Sequence, residues 1–175
     1  MSENRKDVLS LDVGCGTNCF GEIGVDLYFP YLPLVARAGK EAINADCHHL
    51  PFRDKVFHKV YSFGLLSVAN HPDNVIAEMS RVLRPGGTLI VSVTRHIELL
   101  RILLSMRRVG PVNSVKAVFK FLIGRYKAYT ARGISKKIEA IGLRVKRCMP
   151  VWLQHRGQEE RLSHLLCIGE KTYEK

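Results

Sequence analysis

Short apolar runs alternate with glycine- and proline-marked turns along the first half of the chain, a pattern that predicts strands joined by loops and helices. Residues 8–13 (VLSLDV) are an apolar run that stops at Gly14-Cys15-Gly16, the composition of a buried parallel strand ending in a tight turn. Residues 23–26 and 42–45 repeat the idea, and each run closes on an acid, Asp26 and Asp46. Between them Pro30 and Pro33 keep the chain irregular before a short helix ending at Ala38 and Gly39. Residues 55–63 read as a fourth strand and 88–93 (TLIVSV) as a fifth. The segment 74–83 reads as an amphipathic helix with Val75, Ile76, Met79, Val82 and Leu83 on one face, stopped by Pro85-Gly86-Gly87. Strands alternating with helices, with acids at strand ends, predict an α/β fold on a largely parallel sheet.

After residue 94 the period changes. Ile97, Leu100, Leu103, Leu104 and Met106 fall near one helical stripe, and Val115, Val118, Phe119, Leu122, Ile123 and Tyr126 form a cleaner one opposed by Lys116, Lys120 and Lys127. Gly110-Pro111 separates the two. A third helix fits residues 135–141, stopped by Gly142, and two final strands fit 143–151 and 164–170. With 175 residues, no internal repeat and no low-complexity linker, one domain over 1–175 is expected. No apolar run approaches the roughly 20 residues of a membrane span, and the polar start lacks a signal sequence, so a cytoplasmic address is expected.

Charge changes the picture. The formal excess of +11 is concentrated in residues 95–147, where fourteen Lys and Arg face only Glu98 and Glu139. Such a segment attracts anions: nucleic-acid phosphate, an anionic membrane surface, or a phosphorylated or carboxylated small substrate. A solvated face is the alternative reading. The five cysteines (Cys15, Cys19, Cys47, Cys148, Cys167) are odd in number and irregular in spacing, which predicts reduced thiols. Cys15 and Cys19 with Cys47-His48-His49 match no standard zinc spacing, so no metal is expected.

The acids and glycines at strand ends carry the candidate chemistry. Gly14 and Gly16 allow close backbone approach to a ligand at the carboxyl end of a central parallel strand, where open α/β sheets bind ligands. The third glycine of a dinucleotide fingerprint is absent, and only ten positions separate Gly16 from Asp26, which disfavours a nicotinamide-dependent oxidoreductase. Asp26 can accept from both hydroxyls of a ribose, and Asp46, at the next strand end, from an exocyclic purine amine.

Four ordered motifs carry a resemblance: Leu11-Asp12-Val13-Gly14-Cys15-Gly16-Thr17, Gly24-Val25-Asp26, Ala45-Asp46 followed by Leu50-Pro51-Phe52, and residues 81–89 (RVLRPGGTL). Together they resemble the class I S-adenosylmethionine-dependent methyltransferases, specifically the type 11 group. The resemblance implies a Rossmann-like sandwich on a seven-stranded, mostly parallel sheet of order 3-2-1-4-5-7-6 with strand 7 antiparallel. It implies S-adenosylmethionine as cofactor. It divides the domain into a cofactor-binding half over 8–94, a basic helical substrate lid over 95–130, and a C-terminal helix and β-hairpin over 131–175. Transferred by position, Asp12, Gly14, Cys15 and Gly16 line the methionine moiety, Asp26 with Leu27 beside it holds the ribose, and Asp46 and Cys47 meet the adenine. Ser62 and Phe63 face the methionine and substrate side.

The chain also departs from the family. Asn18 replaces the third glycine, and the helix after the first motif is cut to a loop. Strand one begins near residue 8, so N-terminal covering helices are expected to be missing. Val68 stands where many members carry a histidine, so no catalytic base is transferred; His71, His96, Tyr126 and Tyr129 are candidates by location only. The reading placed first is methyl transfer to a small or lipid-like acceptor, for which the amphipathic stretch 112–126 offers apolar residues ringed by lysines. RNA methylation through the basic segment and a silent cofactor-binding subunit that needs a partner stay open beside it.

Overall fold

The structure, a computed structural model, describes residues 8–95, 127–154 and 161–173. The helices expected over 97–106 and 115–126, with His96 and Tyr126, lie outside the described residues, as does most of the stretch expected as a lid. Strands β1 (Ser10–Val13), β2 (Ile23–Asp26), β3 (Glu41–Asn44), β4 (Phe57–Phe63), β5 (Leu83–Thr94), β6 (Leu143–Gln154) and β7 (Arg161–Lys171) form one sheet of order β3-β2-β1-β4-β5-β7-β6. β1 to β5 run parallel, and β7 pairs antiparallel with both β5 and β6. This is the sheet the motif order implied, and among the described residues no helix is long and apolar enough to cross a membrane.

Helices α1 (Leu32–Arg37), α2 (Pro72–Val82) and α3 (Ala131–Glu139) accompany it. Val75, Ile76, Met79 and Val82 of α2 and Ile134 and Ile138 of α3 join a core with Leu11, Val13, Val60, Leu89, Val91 and Val93. Spacings of three and four residues keep those helical side chains on one face, while alternation along each strand supplies the other side of the core. Lys171 on β7 fastens the layers by donating to the Ser80 carbonyl at 2.7 Å and the Leu83 carbonyl at 3.0 Å, at the end of α2. Lys137 on α3 pairs with Asp73 on α2.

Two boundaries differ from expectation. β5 begins at Leu83 and not at residue 88: Leu83 pairs with Phe57 and Thr88 with Lys59, so Pro85-Gly86-Gly87 is an irregularity within the ladder. α3 begins at Ala131 and not at residue 135, because the Thr130 side chain accepts from the Gly133 N–H at 3.0 Å and caps the helix there. The expectation of reduced thiols is corrected at one pair: Cys148 and Cys167 face each other across β6 and β7 and are joined as a disulfide. Their separation of 19 residues becomes a contact only through the hairpin register.

The connection from β1 to β2 crosses residues 14–22 without a helix. It stays close to the sheet because Gly21 lies on the β1 backbone; a Cβ there would stand 2.8 Å from the Asp12 nitrogen and 2.9 Å from the Ser10 carbonyl. Glu22 donates its N–H to the Ser10 carbonyl at 3.0 Å. A crossover normally occupied by a helix is thus reduced to a strap of backbone laid against β1.

Candidate functional site

A cleft of about 470 Å³ lies at the carboxyl ends of β1 and β4. Residues 14–18 and Phe20 form one wall, and Phe63 of β4, Ser92 of β5, Val151 of β6 and Leu166 of β7 form the other. The phenyl rings of Phe20 and Phe63 meet at 4.6 Å between centroids. Phe63 and Ser92 are register partners across β4 and β5, so they reach the cleft side by side.

The glycine turn is held by its neighbours. The N–H groups of Gly14 and Cys15 both donate to the Val25 carbonyl, at 2.8 and 3.1 Å. Gly16 donates its N–H to Asp26 Oδ2 at 2.8 Å, and Tyr28 donates to Asp26 Oδ1 at 2.8 Å. Each Asp26 oxygen therefore has one backbone partner and keeps a lone pair for a ligand hydroxyl. A Cβ built on Gly16 meets nothing within 4 Å, so the turn opens onto free space.

Asp12 stands below the turn, 1% exposed, with Oδ2 accepting from the Phe20 N–H at 2.8 Å and Oδ1 without a partner in the fold. Burial pushes its carboxyl up from 3.8 to about 6, the Phe20 N–H opposes that rise, and the Asp26 charge adds to it. An orphaned, buried acceptor beside an open glycine turn is a cradle with a polar group still to be satisfied.

Asp46 and Cys47 lie on the loop after β3, apart from the residues that line the cleft. Asp46 Oδ1 accepts from the His48 backbone N–H at 2.9 Å and contacts His48 Nδ1 at 2.7 Å, and these bonds hold its carboxyl below the ordinary value. Cys47 is pushed up to about 11 by burial and by the Asp46 charge. Asp46, Cys47 and His48 bring their donor atoms within 4.8 Å of one another; Cys15 and Cys19 are not part of that group. The loop behind them is anchored by Arg81, which donates to the carbonyls of Phe52 (2.8 Å) and Leu50 (3.0 Å) and to Glu78 and Asp54.

Of the positions expected from sequence, Gly14, Cys15, Gly16 and Phe63 line the cleft, with Asp26 accepting from Gly16 and Asp12 from Phe20 of its wall. Leu27 is 71% exposed beyond the end of β2. Ser62 is fully buried, on the opposite face of β4 from Phe63, because successive side chains alternate. Tyr129 is buried with its hydroxyl donated to the Leu66 carbonyl at 2.9 Å, and burial pushes that hydroxyl up to about 12. His71 is exposed at the start of α2, with its side chain making no capping hydrogen bond there. Sequence reasoning missed Thr17, Asn18, Phe20, Ser92, Val151 and Leu166. Thr17 and Asn18 stood in or beside the first motif and Ser92 carried a signal as a hydroxyl inside the apolar run TLIVSV, whereas Val151 and Leu166 arrive through hairpin pairing that local pattern does not reveal.

Residues 11–91 match the family model described as a methyltransferase domain. The chain is 32% identical to a probable tRNA methyltransferase 9B of Homo sapiens, over 62% of this chain and 27% of that protein. It is 36% identical to a demethylmenaquinone methyltransferase of Renibacterium salmoninarum, over 51% of this chain and 41% of that one. The chain thus spans less than half the length of these curated relatives. Among solved structures it overlays an S-adenosylmethionine-dependent methyltransferase of Methanosarcina mazei with a TM-score of 0.75 at 17% identity, covering 98% of this chain and 95% of the other.

Proposed function

We propose that the chain, whose residues 11–91 match the methyltransferase domain model within a sheet of that strand order, is a class I S-adenosylmethionine-dependent methyltransferase that methylates RNA. The observation that supports the acceptor class is charge: residues 95–147 carry a balance of +12 while the first half is near neutral, and a concentrated basic segment of this kind suits a polyanionic acceptor. Similarity to a probable tRNA methyltransferase 9B supports the same acceptor.

S-adenosylmethionine, the cofactor of the family, supplies a methyl group on a positively charged sulfur. Asp26 would receive the ribose hydroxyls on the lone pairs its two backbone partners leave free. Gly14, Cys15 and Gly16 would admit the methionine chain, and Asp12 Oδ1 would accept from its ammonium group. Asp46, kept ionised by His48, would accept from the adenine amine on Oδ2, with the Leu50 to Phe52 loop as the wall beside it. Phe20 and Phe63 would shield the reacting end from water. The protein's share in such a displacement is alignment of two groups in a dry site, where effective molarities of order 10⁵ M or more are attainable.

Methyl-tritiated cofactor supplied with the purified chain and total tRNA should label the RNA, and digestion to nucleosides would identify the modified base. A lipid-like acceptor is the second reading, favoured by the demethylmenaquinone methyltransferase relative. Label that enters a quinone extract and leaves tRNA untouched would replace the first reading with the second.

A further inference from the structure

The cleft wall and the loop that carries it hold two thiols, Cys15 and Cys19, that the methyl-transfer reading leaves unused. Cys15 and Cys19 flank a turn closed by the Asn18 N–H donating to the Cys15 carbonyl at 3.2 Å, with the Cys15 thiol directed at the Gly16 carbonyl at 3.7 Å and the Cys19 thiol donating to the Gly21 carbonyl at 3.3 Å. Both sulfurs crowd the same point over β2: a Cβ on Gly24 would lie 2.8 Å from Cys15 Sγ and 3.0 Å from Cys19 Sγ. Only glycine leaves that space for the pair. We propose that Cys15 and Cys19 form a thiol–disulfide site, closed by low-molecular-weight disulfides such as oxidised glutathione, whose bridged form lowers the affinity of the cleft for its nucleoside ligand.

The two thiols are differentiated as this chemistry requires. Cys15 is 7% exposed and lines the cleft, whereas Cys19 is half-buried and open to a small reagent. The neighbouring Cys15 thiol holds the Cys19 thiol below its ordinary value, while the closeness of Cys19 and burial raise Cys15. Cys19 thiolate attacks one sulfur of oxidised glutathione, the S–S bond of the reagent breaks, and one glutathione thiolate leaves. Cys15 then loses its proton and attacks Cys19 Sγ, expelling the second glutathione thiolate. Two protein thiols are oxidised by two electrons, and one small disulfide is reduced to two thiols.

The consequence for the cleft follows from the loop the bridge would close. Residues 15–19 provide Cys15, Gly16, Thr17 and Asn18 to the wall, and the Gly16 N–H holds Asp26 Oδ2. A disulfide draws the two sulfurs to about 2.05 Å. That contraction acts on the backbone between them, which is the backbone that meets the ligand. The regulatory half of the proposal rests on the cofactor assignment above; formation of the bridge does not.

The test uses the whole chain, reduced and then exposed to oxidised glutathione, alkylated and digested with trypsin. The peptide of residues 7–37 carries Cys15 and Cys19, and that of 41–53 carries Cys47, whose raised thiol serves as an internal control. The expected result is a 7–37 peptide lighter by two hydrogens and refractory to alkylation, with Cys47 still alkylated. Calorimetry with S-adenosylhomocysteine should show Kd at least tenfold higher for the oxidised chain, restored by dithiothreitol, and Cys19→Ser should bind equally in both conditions. Two alkylated thiols on 7–37, or glutathione adducts without an internal bridge, would overturn the proposal. A bridge with unchanged Kd would overturn its regulatory half. If the reduced chain binds no S-adenosylhomocysteine while the bridge forms, the cofactor assignment fails and takes the regulatory half with it.

Discussion

Two aspartates share the glycine turn and behave oppositely. Asp26 is bonded at both oxygens to backbone N–H groups, so Asp26→Ala removes a charged acceptor from the turn as well as from the ligand. Hydrogen bonds to charged groups contribute about 1.5–3 kcal/mol each, so Kd for S-adenosylhomocysteine should rise about ten- to a hundredfold, read by calorimetry. Asp12 is buried with one orphaned oxygen, and its raised carboxyl means that the folded chain holds this proton more tightly than the unfolded chain does. Its contribution therefore favours folding below about pH 4 and fades as pH climbs through about 6. Ionising it inside the fold costs roughly 3 kcal/mol when the displacement from 3.8 to about 6 is converted. Asp12→Asn keeps an acceptor for the Phe20 N–H, so its stability relative to wild type should grow between pH 4 and 7 and then level off. Urea midpoints across that range measure it; a gap that does not change with pH would refute the burial argument. Both acids were visible in sequence, Asp26 because it ends a short apolar run and Asp12 because it stands in the motif at the end of the first one. Phe20, whose N–H Asp12 accepts, was not, since a 61% exposed aromatic inside a loop follows no period.

Elements were legible where a period or a stop residue marked them. The apolar runs located β1 to β4, and the stripe of Val75, Ile76, Met79 and Val82 located α2. The start of β5 was hidden because Pro85-Gly86-Gly87 reads as a terminator although the ladder resumes across it, and the start of α3 because its cap, Thr130, lies ahead of the apolar residues. The tie between α2 and the loop of residues 50–54 was equally silent: one arginine on the helix satisfies two loop carbonyls and two carboxylates at once. A planar fork can do this and an ammonium cannot. Arg81→Lys should therefore lower stability by about 1–3 kcal/mol, with Arg81→Ala no more than slightly worse, as urea midpoints would report. Should lysine restore the wild-type midpoint, charge and not fork geometry would be what Arg81 contributes.

At the scale of the whole molecule, charge segregation decides behaviour that no single contact does. If the basic segment meets RNA, counterion release makes the affinity fall linearly with salt on logarithmic axes, with a slope of about −0.7 per phosphate for a single strand. A contact covering five phosphates then gives a slope of about −3.5, measurable by filter binding between low and physiological salt. A flat line would remove RNA as acceptor. The global topology was legible only through the resemblance: local pattern predicted a mostly parallel sheet, whereas the insertion of β7 between β5 and β6 depends on pairings 70 or more residues apart along the chain, such as Thr94 with His164. That insertion also governs what happens to incomplete chains. A chain cut short before Arg161, during synthesis or by a protease, leaves the apolar β5 with the whole edge from Thr88 to Thr94 bare and hydrogen-bonding groups turned outward. An open edge of that kind templates another strand. Truncation from the C-terminal side is therefore expected to produce aggregates and not a smaller soluble fragment.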